Sequence, residues 1–437
     1  MTISAVDLFS GIGGFHAVAT ALGIETVYAC DADPECRSVY EENWGITPAS
    51  DIRDEVSDVH NLVPRHDILF AGFPCQPFSK SGAQRGMEEA RGTLFFSIAQ
   101  VLKARKPRLV VLENVRNLWS KRHLDDWHTI IRILRDLNYR VSDQPLVSSP
   151  HRIPPELGGT PQVRERIFIN ATYVPSHLQS SFDLSAPPIA HLDSSQTFDP
   201  SKWSLAKFVP SLRNSGRQDL KLKAEEVKWL NIWNEFRHRT FSQGIALPGH
   251  PLWFDAWIDH PEMRITSSMP SWKIRFIELN REFFKQNRSI ITSWIEDFPE
   301  VVEFPTSRRK LEWQAGDLSS LWKGLIQLRP SGIRVKRPNY IPAAVAMTQT
   351  SVFGPKKRRL DVPELAQLQG LPPWFTFGEQ SDRHSYRQLG NGIAVGSAYH
   401  AVLAHIRRDS SLLIRQGRRD LVDLAEKAFA NPMEGLL

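Results

Sequence analysis

At 437 residues the chain is long enough for two or three domains, or for one large domain with a substantial insertion. With 41% hydrophobic and 23% charged residues it has an ordinary globular composition, which excludes a disordered or fibrous chain, while a net charge of +6 hints at a polyanionic partner. Three cysteines without a Cys-x-x-Cys pair exclude a disulfide scaffold and give no metal site, and the absence of a membrane-length apolar run or a signal-peptide pattern points to a cytoplasmic protein without membrane contact.

The first part alternates strand and helix. Residues 5–9 predict a short apolar strand broken only by Asp7, followed by a tight turn at Gly11, Gly13 and Gly14. Residues 15–22 predict a helix that Gly23 ends. The next strand is 26–30, and Asp33 before Pro34 marks a helix start, with an acid as N-cap and proline in the first turn. Residues 67–70 and 108–112 predict two more buried strands, and 94–103 and 125–137 two helices. This alternation predicts an α/β fold, a doubly wound, mostly parallel sheet of Rossmann-like type with ligands at the carboxyl ends of its strands.

From about residue 171 the alternation fades, and Ser, Pro, Trp and basic residues rise. Trp203, Trp229, Trp233, Trp253, Trp257, Trp272, Trp294, Trp313 and Trp322 all fall here. The expected organisation is therefore 1–170, an inserted smaller domain at 171–340, and a return to the first domain at 341–437. That return carries helices at 362–369 and 392–404 and a helical tail at 412–429.

The glycine turn follows a strand and opens a helix, so backbone can approach a ligand closely and free N–H groups face it. Asp31 ends the next strand, where an acid accepts hydrogen bonds from ribose hydroxyls. These residues suit a nucleoside-type cofactor. A nicotinamide or flavin enzyme would carry the same turn, and so would a turn that serves packing alone. Pro74, Cys75 and Gln76 follow the strand at 67–70. Cys75 is either a buried inert thiol or a nucleophile braced by its flanking prolines. Glu113, Asn114 and Val115 end the strand at 108–112, and Glu113 is either a water-facing carboxylate or a second catalytic group in the same crevice.

Together these residues resemble the DNA cytosine-5 methyltransferase family, prokaryotic type, along nearly the whole chain. The glycine turn resembles its first motif, Pro74-Cys75-Gln76 its nucleophile motif and Glu113-Asn114-Val115 its carboxylate motif. Arg91-Gly92-Thr93-Leu94-Phe95-Phe96, Gln162-Val163-Arg164-Glu165-Arg166 and Gln388-Leu389-Gly390-Asn391-Gly392 resemble three more, in the same order and spacing.

The resemblance implies methyl transfer from S-adenosylmethionine to carbon 5 of a cytosine flipped out of duplex DNA. Cys75 would attack carbon 6, and Glu113 would grip ring nitrogen 3 and the exocyclic amine. Arg164 and Arg166 would either contact the base and its phosphate or position Glu113. Cofactor contacts would come from Phe9, stacking on the adenine, from Gly11, Gly13, Gly14, Asp31, Asp51, Ile52 and Pro74, and from Asn391 closing the pocket. Ala32 departs from the pattern, standing where relatives often carry an aromatic. Residues 79–91, with Ser81 and Gln84, resemble the loop that closes over DNA. Residues 171–340 occupy the target-recognition position, with Arg308, Arg309, Lys310, Arg334, Lys336 and Arg337 as candidate phosphate or guanine contacts. The implied protein is a stand-alone monomer with a cognate restriction endonuclease as functional partner. An RNA cytosine-5 methyltransferase is the alternative; the long Trp-rich insertion favours duplex DNA.

Overall fold

Four short segments pair in parallel in the first sheet: β1 (Ser4–Leu8), β2 (Glu25–Cys30), β3 (Ile68–Gly72) and β4 (Leu109–Val115). Ile68, Leu69, Phe70 and Ala71 of β3, and Leu109, Val110, Val111 and Leu112 of β4, are all fully buried, the continuous apolar run of a strand covered on both faces. Between and after these strands lie α1 (Gly14–Ala21), α2 (Pro34–Trp44), α3 (Ile52–Glu55), α4 (Leu94–Arg105) and α5 (Leu124–Asp136). The expected cap of α2 is present, with the Asp33 carboxylate accepting from the N–H groups of Glu35 and Cys36. The computed structural model describes residues 2–56, 61–74, 93–189, 197–213, 218–258, 260–344 and 351–437.

Three further strands complete this sheet: β5 (Tyr139–Val141), β6 (Leu146–Ser148) and β7 (Arg166–Tyr173). The order is β2-β1-β3-β4-β7-β5, with β6 also paired to β7. Every pairing of β7 is antiparallel, so β7 alone is reversed and the sheet is mostly parallel, as expected. With β1 lying between β2 and β3, the strand order reverses at β1. That is the switch point where open α/β sheets open a crevice.

The second unit comprises residues 202–341 and 348–364. It holds α6 (Leu205–Phe208), α7 (Ala224–Ser242), β8 (Leu252–Trp253), α8 (Ser271–Gln286), α9 (Arg288–Asp297), β9 (Lys310–Gln314), β10 (Leu325–Arg329), β11 (Gly332–Lys336), β12 (Val352–Phe353) and β13 (Arg358–Arg359). Its strands form one sheet in the order β13-β12-β10-β11-β9-β8. The tryptophans are core material. Trp233 and Trp294 lie with ring centres 5.2 Å apart, Phe236 and Trp257 pack around them, and Trp272 alone of the nine is mostly exposed, at 58%.

At α10 (Val362–Gln369) the chain returns to the first unit, which also contains α11 (Asp382–Asn391), α12 (Val395–Arg408), α13 (Ser410–Arg415) and α14 (Arg419–Lys427). The tail expected as one helix is two, broken at Gly417, whose φ of 73° suits glycine. The first unit extends to Ser201, well past residue 170. The reason is that β7 runs on to Tyr173 and the following segment stays bound to the same unit, with Phe198 N–H donating to the Arg152 carbonyl. No helix among the described residues is long and apolar enough to cross a membrane.

Candidate active site

A cleft of about 660 Å³ opens at the carboxyl ends of β1 to β4. The chain leaves β1 through Phe9, a non-glycine residue in the left-handed region at φ 55°. Such a backbone costs roughly 1–2 kcal/mol and persists where its surroundings fix it. Phe9 and Ala32 both line the cleft and contribute one aromatic ring and one methyl group to it.

Gly13 shows why the turn needs glycine. Its φ is 89°, and a Cβ there would lie 2.1 Å from Nε1 of Trp44. That indole N–H donates to the Ile12 carbonyl at 3.0 Å, and its ring stacks on His16 with centres 4.5 Å apart. Trp44 therefore holds the turn from behind. Gly14 and Gly72 leave room for a different residue, Ile393, whose atoms lie 3.1 Å and 3.5 Å from where their Cβ atoms would be. Trp44 and Ile393 carried no local signal of these roles, because each acts through a partner distant in sequence.

The Asp31 carboxylate accepts from the N–H groups of Gly11 and Asp33, both at 2.8 Å, and burial raises its pKa. It thus fixes the turn, and each oxygen keeps a further acceptor site for a ribose hydroxyl. Asp51 caps α3 through the N–H of Arg53 at 2.9 Å. The Arg53 guanidinium beside it holds its carboxyl below the usual range. Ile52 is buried at the same edge. Asn391, the exposed last residue of α11, lines the cleft with Gly392 and Ile393.

Glu113 stands beside Gly72 in the pairing of β4 with β3. Its Oε1 lies 2.8 Å from Nε of Arg166, and its side chain is 9% exposed. Burial pushes this carboxyl up, against the opposing pull of Arg166 and Arg164. Next to it, Asn114 donates its side-chain amide to the Phe73 carbonyl at 2.9 Å.

Arg164 is 1% exposed and donates to the carbonyls of Ala344 at 3.2 Å, Gly390 at 2.8 Å and Gly392. It ties the Gly390-Asn391-Gly392 segment to the floor of the site, while Arg166 is the arginine on Glu113. Burial and the neighbouring Arg166 push Arg164 down to about 9.

Phe9, Gly11, Gly14, Asp31, Asp51, Ile52, Pro74, Glu113, Arg166 and Asn391 therefore share one cleft, with Gly13 and Arg164 supporting it from outside the lining. Cys75 and the loop carrying Ser81 and Gln84 lie outside the described residues. Cys30 and Cys36 also line the cleft, but burial pushes both thiols up, Cys30 to about 12, so neither offers a thiolate at neutral pH.

In the second unit, most of the basic residues singled out from the sequence have internal partners. Arg308 lies over the Trp229 ring at 5.4 Å, Arg309 pairs with Asp255 at 2.8 Å, and Lys310 lies over Trp253 at 5.0 Å. Arg334 pairs with Glu312 at 2.9 Å and Arg337 with Asp317 at 2.6 Å, whereas Lys336 is half-buried.

A doubly wound sheet whose switch-point cleft joins a glycine turn and strand-end acid to a buried Glu–Arg pair defines an α/β protein of the Rossmann-like class. Across residues 3–407 the sequence matches C-5 cytosine-specific DNA methylase, and the chain belongs to this family of DNA (cytosine-5-)-methyltransferases. Membership implies an S-adenosylmethionine-dependent methyltransferase. Among curated relatives, the Type II methyltransferase M.AluI of Cellulosimicrobium cellulans is 39% identical, covering 94% of this chain and 93% of the relative. The Type II methyltransferase M.HpaII of Haemophilus parainfluenzae is 31% identical over 71% of this chain and 84% of its own length. Among solved structures, the Dnmt2 methyltransferase of S. pombe aligns at 15% identity and a TM-score of 0.45, covering 93% of this chain and 98% of that one.

Proposed function

We propose that the chain methylates carbon 5 of a cytosine extruded from duplex DNA, using Cys75 as nucleophile and Glu113 as the group that supports the ring. The observation that carries this reading is the buried Glu113–Arg166 pair beside the strand end leading to Pro74 and Cys75. Carbon 5 of cytosine is a poor nucleophile. Attack of the Cys75 thiolate on carbon 6 pushes electrons onto it, and Glu113 at ring nitrogen 3 and the exocyclic amine neutralises the charge that develops there. Burial raises the pKa of this carboxyl, which favours the protonated form it needs to donate in that role. Arg166 orients Glu113. Once carbon 5 has taken the methyl group, loss of its proton to solvent and departure of the Cys75 sulfur restore the aromatic ring.

S-adenosylmethionine fits the cleft, whose volume of about 660 Å³ falls within the usual range for small-molecule sites. Phe9 would face its adenine, Asp31 its ribose, and Asp51 and Ile52 the adenine edge, with the glycine turn giving close backbone approach. Bound there, it supplies an electrophilic methyl group. The second unit would read the DNA sequence, and the likeness to Type II methyltransferases supports a role beside a cognate restriction endonuclease.

The test is product analysis. The purified chain is incubated with labelled S-adenosylmethionine and duplex DNA, which is then digested to nucleosides. Label in 5-methylcytosine is the expected result; label in N4-methylcytosine or N6-methyladenine would refute the mechanism, because those amines need no thiolate attack.

A further inference from the structure

The sheet of the second unit has two unlike faces. Trp313 of β9, Leu328 of β10 and Val335 of β11 point into the aromatic core. The alternate positions carry a polar row across the same three strands, because Glu312, Arg334 and Gln327 are direct neighbours in the pairing of β9 with β11 and of β11 with β10. Arg329, two residues beyond Gln327, shares that face.

The row is built around one carboxylate. Glu312 accepts from Arg334 at 2.9 Å and from Arg329, so a single acid holds two guanidinium groups on adjacent strands. Both arginines are about a quarter exposed, while the side chain of Glu312 is 13% exposed. Lys336 lies two residues along from Arg334, and burial and its cationic neighbours push its pKa down. Three cations face one anion, and among the described residues the buried Nε atoms of Arg329 and Arg334 and Oε1 of Gln327 have no hydrogen-bond partner.

Attraction to phosphate alone would not explain this arrangement. A phosphate contact needs charge, and a central carboxylate weakens the local positive field. What the carboxylate adds is orientation. It freezes two forked donors, and forked donors match the N7 and O6 acceptors that guanine shows in the major groove. Strands placed in a groove are an established way to present such side chains.

We propose that the polar face of β9, β11 and β10 is the base-reading surface, with Arg334 and Arg329 contacting guanines of the target and Glu312 positioning both. This rests on the reading that the second unit recognises DNA.

Bisulfite sequencing of DNA methylated in vitro by the full chain first defines the target and its single-base near-matches. The same measurement is then made on Arg334→Ala, Arg334→Lys and Glu312→Gln. Each variant should lose at least about tenfold of the discrimination at one guanine position, the order expected for one lost bidentate contact. Arg334→Lys keeps the charge without the fork, so it should lose discrimination while retaining DNA affinity, and it serves in place of Arg334→Ala if that variant does not fold. Unchanged discrimination would overturn the proposal. So would uniform weakening on every sequence with a shallower salt dependence, the signature of a phosphate contact. Exchanging the whole second unit with that of a relative separates the two readings. A switched target with unaltered Arg334 variants removes only the arginine assignment, whereas an unswitched target removes the reading beneath it.

Discussion

The side-chain amide of Asn114 donates to the Phe73 carbonyl at 2.9 Å, clamping the carboxyl end of β4 to the last residue before Pro74 and Cys75. Both residues are buried, at 3% and 6% exposure. Asn114→Ala leaves that carbonyl without its donor, at a cost of roughly 1–3 kcal/mol, and loosens the chain that presents the nucleophile. Misplacement of a reacting group by an ångström can cost about a hundredfold in rate, so the single-turnover rate should fall at least about tenfold. Calorimetric titration should find S-adenosylmethionine affinity unchanged. Equal loss of both would show that Asn114 supports the whole cleft instead.

Glu113 and Arg166 set a pH prediction. Burial raises the Glu113 carboxyl and Arg166 lowers it, with the carboxyl remaining above its ordinary value. A raised pKa keeps the proton to higher pH, so a rate that needs the neutral carboxyl is lost as pH rises through that pKa. Arg166→Gln removes the lowering influence. Its alkaline limb in kcat/KM should move to higher pH, with a lower plateau because Glu113 is less well oriented. A limb that stays in place or moves down would contradict the role given to Glu113.

The glycine turn separates two effects. Gly11 and Gly13 both have positive φ, so alanine at either costs roughly 1–2 kcal/mol of backbone strain. At Gly11 no atom of the described residues lies within 4 Å of a new Cβ, whereas at Gly13 it meets the Trp44 indole. Denaturant midpoints should show a clearly larger loss for Gly13→Ala than for Gly11→Ala. Trp44→Leu should recover part of the Gly13→Ala loss, and equal losses at the two glycines would discount the contact.

Much of the first sheet was legible because β3 and most of β4 are unbroken apolar runs, β1 is broken only by Asp7, and the turns carry glycine, proline and an Asp cap. The strand expected at 67–70 is Ile68–Gly72, and the helix start at Asp33 and Pro34 is present as read. β7 was not read, because its apolar run is interrupted by Asn170 and Thr172. Both are buried; the Asn170 side-chain N–H donates to the Ala401 carbonyl of α12, and the Thr172 hydroxyl meets the ring of His405 on the same helix. The helix α11, which ends in the Asn391 motif, was hidden by its polar composition. In the site, residue types at strand ends were readable, but pairings were not: which arginine faces Glu113 depends on how β7 registers with β4.

His405 provides a stability test. The Thr172 hydroxyl donates to Asp409 at 2.6 Å and so accepts from Nε2–H of the fully buried His405 at 2.8 Å. Burial, aided by Arg408, pushes the His405 pKa down to about 3. The unfolded chain takes up this proton near pH 6.5 while the folded chain refuses it, so stability is lost as pH falls below about 6.5. Buried acids with raised pKa values, such as Asp7, act in the opposite sense, so the comparison is made with a variant. Between pH 7 and 5 the wild type should lose roughly 2 kcal/mol more than His405→Gln in denaturant unfolding. Parallel pH profiles would rule this out.

The most direct test of the central claim is covalent capture of Cys75. Duplex DNA carrying 5-fluorocytosine at the target position, incubated with S-adenosylmethionine, should leave the wild-type chain attached to DNA through a bond that survives denaturant, because fluorine cannot depart as a proton does. Cys75→Ala should bind the same DNA and cofactor but give no adduct, and peptide mapping of the wild-type adduct should locate it at Cys75. A wild-type chain that methylates ordinary DNA but yields no stable adduct, or an adduct on any other residue, would contradict the account.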